Sequence, residues 1–224
     1  LCVADDYLIF AATDPYYGRE VWFFHFPAFE GSEADKLNYV GELHSVDLVE
    51  GYGVSSYPMG FESSGGHLPV VFQATNDASG TELWAFDGTD AHMIKDICEG
   101  KCSGNPLYIT WFRGEFYFQA TDGIAGREIW KSGGTAATTT MIRDIRKGTP
   151  DSIPSFLTVF RSPMDTQDYL YFAATDGTFN PDYSALEGTG GSQLWRTDGF
   201  LNGTVRAFDR TGNDLYFDKT ALDN

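Results

Sequence analysis

Four times along this chain the same short phrase returns. Gly18-Arg19-Glu20-Val21-Trp22, Gly80-Thr81-Glu82-Leu83-Trp84, Gly126-Arg127-Glu128-Ile129-Trp130 and Gly191-Ser192-Gln193-Leu194-Trp195 each follow an aromatic run that ends in Ala-Thr-Asp or Ala-Thr-Asn. Self-similarity of this kind constrains the fold more than any local propensity, because a repeated unit must bury the same face against a like neighbour each time. The Phe ahead of each Ala-Thr falls at 10, 72, 118 and 172, so the steps are 62, 46 and 54 residues. Two loops cause the scatter. Repeat 1 carries an extra segment over residues 25–37, and repeat 4 has 14 residues between Asp176 and Gly191 where the other repeats have three.

The third repeat spells out the unit. Ile109–Phe112 and Phe116–Ala120 are β-type runs joined by Arg113-Gly114-Glu115, which predicts a hairpin. After a turn at Asp122-Gly123, Arg127–Lys131 predicts a third strand, and Thr140–Ile145 a fourth beyond Ser132-Gly133-Gly134-Thr135. Gly148 and Ser152-Ile153-Pro154 close the unit. The expected fold is all-β: a β-propeller of four-stranded antiparallel blades, with repeats near 1–58, 59–106, 107–154 and 155–212. Trp22, Trp84, Trp130 and Trp195 should then fill equivalent buried slots. Residues 213–224 resemble a second strand, so a fifth unit is expected to begin there. With a start at Leu rather than Met, the chain is expected to be a segment of a longer propeller or of a filament-forming molecule.

Composition narrows the function classes. The net charge of −17 offers no basic surface for a phosphate backbone, and none for an anionic membrane. No apolar run approaches the ~20 residues of a membrane span. Cys98 and Cys102 flank a three-residue turn and are expected to close a small disulfide ring, with Cys2 left over. Together with the sequon at Asn202-Gly203-Thr204, a glycosylation site, they indicate an extracellular or cell-surface setting.

With these elements in place, the chain resembles the ELWxxDGT repeat family of secreted, propeller-like proteins. The likeness is carried by Glu82-Leu83-Trp84-Ala85-Phe86-Asp87-Gly88-Thr89, by Glu128-Ile129-Trp130-Lys131-Ser132-Gly133-Gly134-Thr135, and by Gln193-Leu194-Trp195-Arg196-Thr197-Asp198-Gly199. Repeat 1 departs after its Trp, with Phe23-Phe24-His25-Phe26 at the turn, and repeat 4 has Gln193 for Glu. The resemblance implies an extracellular propeller and transfers no catalytic residues.

The acidic residues are the candidates for chemistry. Asp14, Asn76, Asp122 and Asp176 occupy one turn position in each repeat. They are read as turn caps, with Ca²⁺ ligation as the alternative and no other cofactor expected. Glu20, Glu82 and Glu128 are read as lying on the side of the strand opposite the Trp and clamping a neighbour, with Arg19 and Arg127 as the expected partners, rather than as acid catalysts. Asp47, Asp96, Asp144 and Asp209, near the ends of the fourth strands, are likewise read as structural. Trp111 is read as core, with stacking on a sugar as the alternative. His25, His44, His67 and His92 are scattered, and no nucleophile elbow or phosphate loop is present. The expectation is a non-catalytic scaffold that binds other protein chains, copies of itself or glycans, with Phe26, Pro27 and Phe29 forming an interaction loop. A polysaccharide hydrolase or lyase, which needs one asymmetric pair of carboxylates, and a Ca²⁺-dependent binding module are the alternatives.

Overall fold

A computed structural model describes residues 1–16, 18–26, 42–46, 48, 56–161, 167–178 and 192–208. The chain divides into two compact units, Leu1–Asn105 and Pro106–Asn224. The first holds two antiparallel meanders. One is β1 (Cys2–Ala4), β2 (Tyr7–Asp14), β3 (Gly18–His25) and β4 (Glu42–Val46); the other is β5 (Met59–Ser63), β6 (Val70–Asn76), β7 (Gly80–Phe86) and β8 (Ala91–Lys95). The second unit repeats the plan with β9 (Leu107–Phe112), β10 (Glu115–Thr121), β11 (Arg127–Ser132) and β12 (Thr140–Arg143), then β13 (Ser155–Arg161), β14 (Asp168–Ala174), β15 (Gln193–Thr197) and β16 (Val205–Arg206). Among the described residues the only helical element is a single 3₁₀ turn, Ala136–Thr138.

The repeated phrase fixes the same cross-strand register in all four sheets. Trp22 stands opposite Phe10, Trp84 opposite Phe72, Trp130 opposite Phe118 and Trp195 opposite Phe172. Two residues earlier, the Glu or Gln stands opposite the Ala of Ala-Thr: Ala12 and Glu20, Ala74 and Glu82, Ala120 and Glu128, Ala174 and Gln193. Side chains two apart on a strand share a face, so each sheet has one face built from Phe, Trp, Ala and the acid or amide.

In the second sheet of each unit that face packs on the opposite face of the first. In the first unit Phe72, Ala74, Trp84 and Phe86 form one core with Ile9, Val21 and Phe23. The second unit shows the same order, with Leu170, Phe172, Ala174 and Trp195 against Tyr117, Ile129 and Ile142. Within each unit the neighbouring sheets meet along their first strands, β1 against β5 and β9 against β13. Arg143 ties the second pair further, donating 2.7 Å to the Thr204 carbonyl with its guanidinium over the Trp195 ring.

Three of the four tryptophans fill the expected buried slot, with Trp84, Trp130 and Trp195 exposed by 7%, 5% and 4%. Trp22 departs from the expectation and is only half-buried, as is its partner Phe10. The fourth strand of repeat 3 is shorter than expected, ending at Arg143. Asp144 and Ile145 turn away from the sheet, and the reason lies in the site below.

Candidate functional site: a buried glutamate latch

In repeats 1 to 3 the recurring glutamate converges on the loop after the fourth strand. In repeat 3, Glu128 of β11 is fully buried. Its Oε2 accepts the Ile145 N–H at 2.8 Å and the Ser152 hydroxyl at 2.6 Å, and its Oε1 takes the Arg146 N–H. Ser152 then bridges two sheets, donating its N–H to the Arg127 carbonyl and accepting the Thr175 N–H from the far side of β14. Glu20 in repeat 1 does the same work. It accepts the Ser56 N–H and hydroxyl at 2.8 and 2.5 Å and the Leu48 N–H at 3.2 Å, while Ser56 links the Arg19 carbonyl to the Thr75 N–H.

Repeat 2 reaches the same end by other means. Glu82 accepts N–H groups from Ile97, Cys98 and Gly104 at 2.9, 3.4 and 2.6 Å. Gly104 stands where the other two repeats have serine, so there is no hydroxyl to donate. The loop is closed instead by the disulfide between Cys98 and Cys102, as the spacing predicted, while Cys2 is free.

The Gly of the phrase in repeats 2 and 3 belongs to the same device. A Cβ on Gly126, whose φ is +72°, would lie 2.5 Å from the Pro150 carbonyl oxygen, and one on Gly80 would strike the Cys102 carbonyl. The loop can lie over the start of the third strand only because that residue lacks a side chain. Gly, Glu and Trp of the phrase therefore have three separate jobs: clearance, grip and core.

The expected geometry of the glutamates needs correction in two respects. They do not lie opposite the Trp; a spacing of two residues puts them on its face, under the small Ala of the paired strand. Nor do they pair with Arg127. Its guanidinium goes to Asp151 at 2.6 and 2.9 Å, and its own N–H to the other Asp151 oxygen. That arginine pair holds Asp151 well below the usual carboxylate range against the opposing pull of its partial burial. For Glu82 and Glu128, burial pushes the carboxyl up to about 7, against the N–H and hydroxyl bonds that favour the ionised form. The roles of Ser56, Ser152 and Gly104 were not foreseen. Their shared place two residues before Pro58, Pro154 and Pro106 was the available signal.

The repeated Asp and Asn residues cap their own turns, and Asp176 also meets Arg206 at 3.7 Å. Asn76 Oδ1 accepts the N–H groups of Ala78 and Ser79, and Asp122 Oδ1 those of Ile124 and Ala125. Asp14 takes the Tyr16 N–H, and Asp176 the N–H and hydroxyl of Thr178. These are side-chain turn caps. Among the described residues no three His, Cys, Asp or Glu side chains gather as a metal would require. Asp96 and Asp144 cap the Gly100 and Gly148 N–H groups. Trp111 is half-buried, its ring 4.7 Å from Phe116. Asn202 is exposed in the β15–β16 turn. His25 stacks on Tyr7, His44 on Phe23, and His67 bonds Asp5. Phe26 is 45% exposed and stacks on Phe24. Pro27, Phe29, Asp47, Asp209 and residues 213–224 lie outside the described residues.

No protein-family model and no curated protein matches this chain.

Proposed function

We propose that this chain is a non-catalytic repeat scaffold, its four sheets the blades of a β-propeller, working outside the cell by contact with other protein chains or glycans. One observation carries this reading. The carboxylate of the repeated phrase is used in the same way three times, with its oxygens committed to the N–H and hydroxyl groups of its own loop. A glycosidase needs one asymmetric pair of acids open to substrate, whereas these acids are buried and recur with the repeats. Sheets that meet along their first strands are consistent with blades fanning from an axis. The likeness to ELWxxDGT repeats points the same way.

The outward setting rests on the Cys98–Cys102 disulfide, since such bonds persist in oxidising compartments. No helix among the described residues is long and apolar enough to cross a membrane. Surface aromatics supply contact area. Tyr108 and Phe156, from neighbouring first strands, are both exposed, with ring centroids 6.1 Å apart, and Phe26 leads into the segment 27–37. Removal of residues 27–37 should weaken self-association in sedimentation velocity while leaving the far-UV spectrum of the sheets intact. Glycan arrays and reducing-end assays on acidic and neutral polysaccharides test the rest. Binding without turnover is expected, and sustained release of reducing ends by the pure protein would overturn the proposal.

A further inference from the structure

Two sheet faces keep open the apolar slots that the other repeats close. The first is the Trp face of β1–β4. Phe72, Phe118 and Phe172 are fully buried, whereas Phe10 at the same place is half-buried. Ala12, Trp22 and Phe24 on that face are half-buried as well, and Leu43, which pairs with Phe24, is 50% exposed. The second is the face of β13–β16 turned away from Trp195. Ile9, Val71 and Tyr117 are buried at one of its positions, and Val21, Leu83 and Ile129 at another. Tyr171 and Leu194 take those places in repeat 4, and both are half-exposed. Apolar faces left to water in this way mark interaction sites.

The two faces are the halves of one kind of contact. In the first unit the Trp face of β5–β8 sits on the face of β1–β4 that carries Ile9 and Val21. There Phe86, two residues past Trp84, packs on Tyr7 and Phe23, with ring centroids 5.8 and 4.7 Å away. In repeat 4 the places of Tyr7 and Phe23 belong to Tyr169 and Arg196, and the Arg196 guanidinium lies 4.4 Å from the Tyr169 ring centroid. In repeat 1 the place of Phe86 belongs to Phe24, two residues past Trp22.

We propose that a second copy of this chain covers these faces head to tail: the Trp face of β1–β4 in one copy seats on the Tyr171 and Leu194 face of β13–β16 in the next. Phe24 then lands on the stacked Tyr169 and Arg196, where the guanidinium meets an aromatic ring. This names a partner within the scaffold reading above and rests on that reading. A second copy is the occupant because the contact continues one that the chain makes with itself in both units. The Phe and Trp spacing that fits the receiving face is the spacing of the repeat, and each copy carries one half of each kind. A contact between two different faces is heterologous, so every added copy leaves one half of each kind open. Association then proceeds until a ring closes or a filament grows.

Sedimentation velocity of the whole chain is the test, at raised salt to screen the repulsion between copies of net charge −17. The wild type should form dimers and larger species as its concentration rises. Phe24→Glu damages one face and Leu194→Glu the other, and each should weaken association by roughly tenfold or more. Mixed in equal amounts, the two variants keep one intact half apiece and should recover a dimer that grows no further. A wild type that stays monomeric at every concentration would overturn the proposal, while the scaffold reading would still stand or fall on its own glycan and turnover tests. Association untouched by either change, or no recovery in the mixture, would overturn it as well. Should a variant lose its far-UV spectrum, hydroxyl-radical footprinting of the wild type decides. Trp22, Phe24, Tyr169 and Tyr171 should lose reactivity together at high concentration, and unchanged reactivity there would refute the docking.

Discussion

At the scale of single residues, the repeated phrase has a cost that can be measured. Truncating Glu128 to Ala would leave the Ile145 and Arg146 N–H groups and the Ser152 hydroxyl buried without an acceptor, a loss of about 3 kcal/mol or more in urea unfolding. Glu128→Gln keeps the shape and should cost about 1 kcal/mol at neutral pH, less in mild acid, where the native carboxyl is itself neutral. The pH dependence of the whole chain follows from the same groups. A carboxyl whose folded pKa is raised binds its proton more tightly when folded, so its contribution is full below the unfolded value of 4.5 and is lost as pH rises through about 7. Asp5, Asp87 and Asp151 are shifted downward, so their contribution is in place above the ordinary aspartate range and is lost only as pH falls below it. The urea midpoint should therefore fall between about pH 5.5 and 8, and a flat or rising profile would contradict the latch chemistry.

At the scale of elements, the strands were legible and their register and loops were not. Phe, Trp and Ala recur at fixed spacing, which marks the strands, but the pairing of Phe118 with Trp130 is set by the turn between them. The latch depends on where backbone N–H groups point after a strand ends, which no side-chain pattern encodes. Asp144-Ile145 therefore read as strand when it is loop. The bulges in the first strands were hidden for a related reason. Gly60 marks one, with φ of +71°, but the matching residues are Tyr108 and Phe156 at +57° and +56°, types that give no hint of a left-handed backbone. Clearance under the loop makes Gly126 the element's most sensitive small residue. Gly126→Ala should destabilise by about 2 kcal/mol or more, from positive φ and from collision with the Pro150 carbonyl. Arg127→Ala, which removes a half-exposed ion pair with Asp151, should cost under about 1 kcal/mol. Thermal unfolding of the two variants side by side checks the order.

At the scale of the molecule, the second sheet of each unit presents its Trp face to the first, which meets it with its Val or Ile face. Such a directional rule makes a series, and a four-stranded meander repeated in series can fan around an axis or stack along one. The latch loops are the joints of that series, since Ser56 and Ser152 each bond one sheet to the next. A crystal structure of the chain is the most direct test of the propeller. The rotation carrying β1–β4 onto β5–β8 and the rotation carrying β9–β12 onto β13–β16 should share one axis, with β1, β5, β9 and β13 innermost. Two unrelated axes, or a translation in place of a rotation, would contradict it.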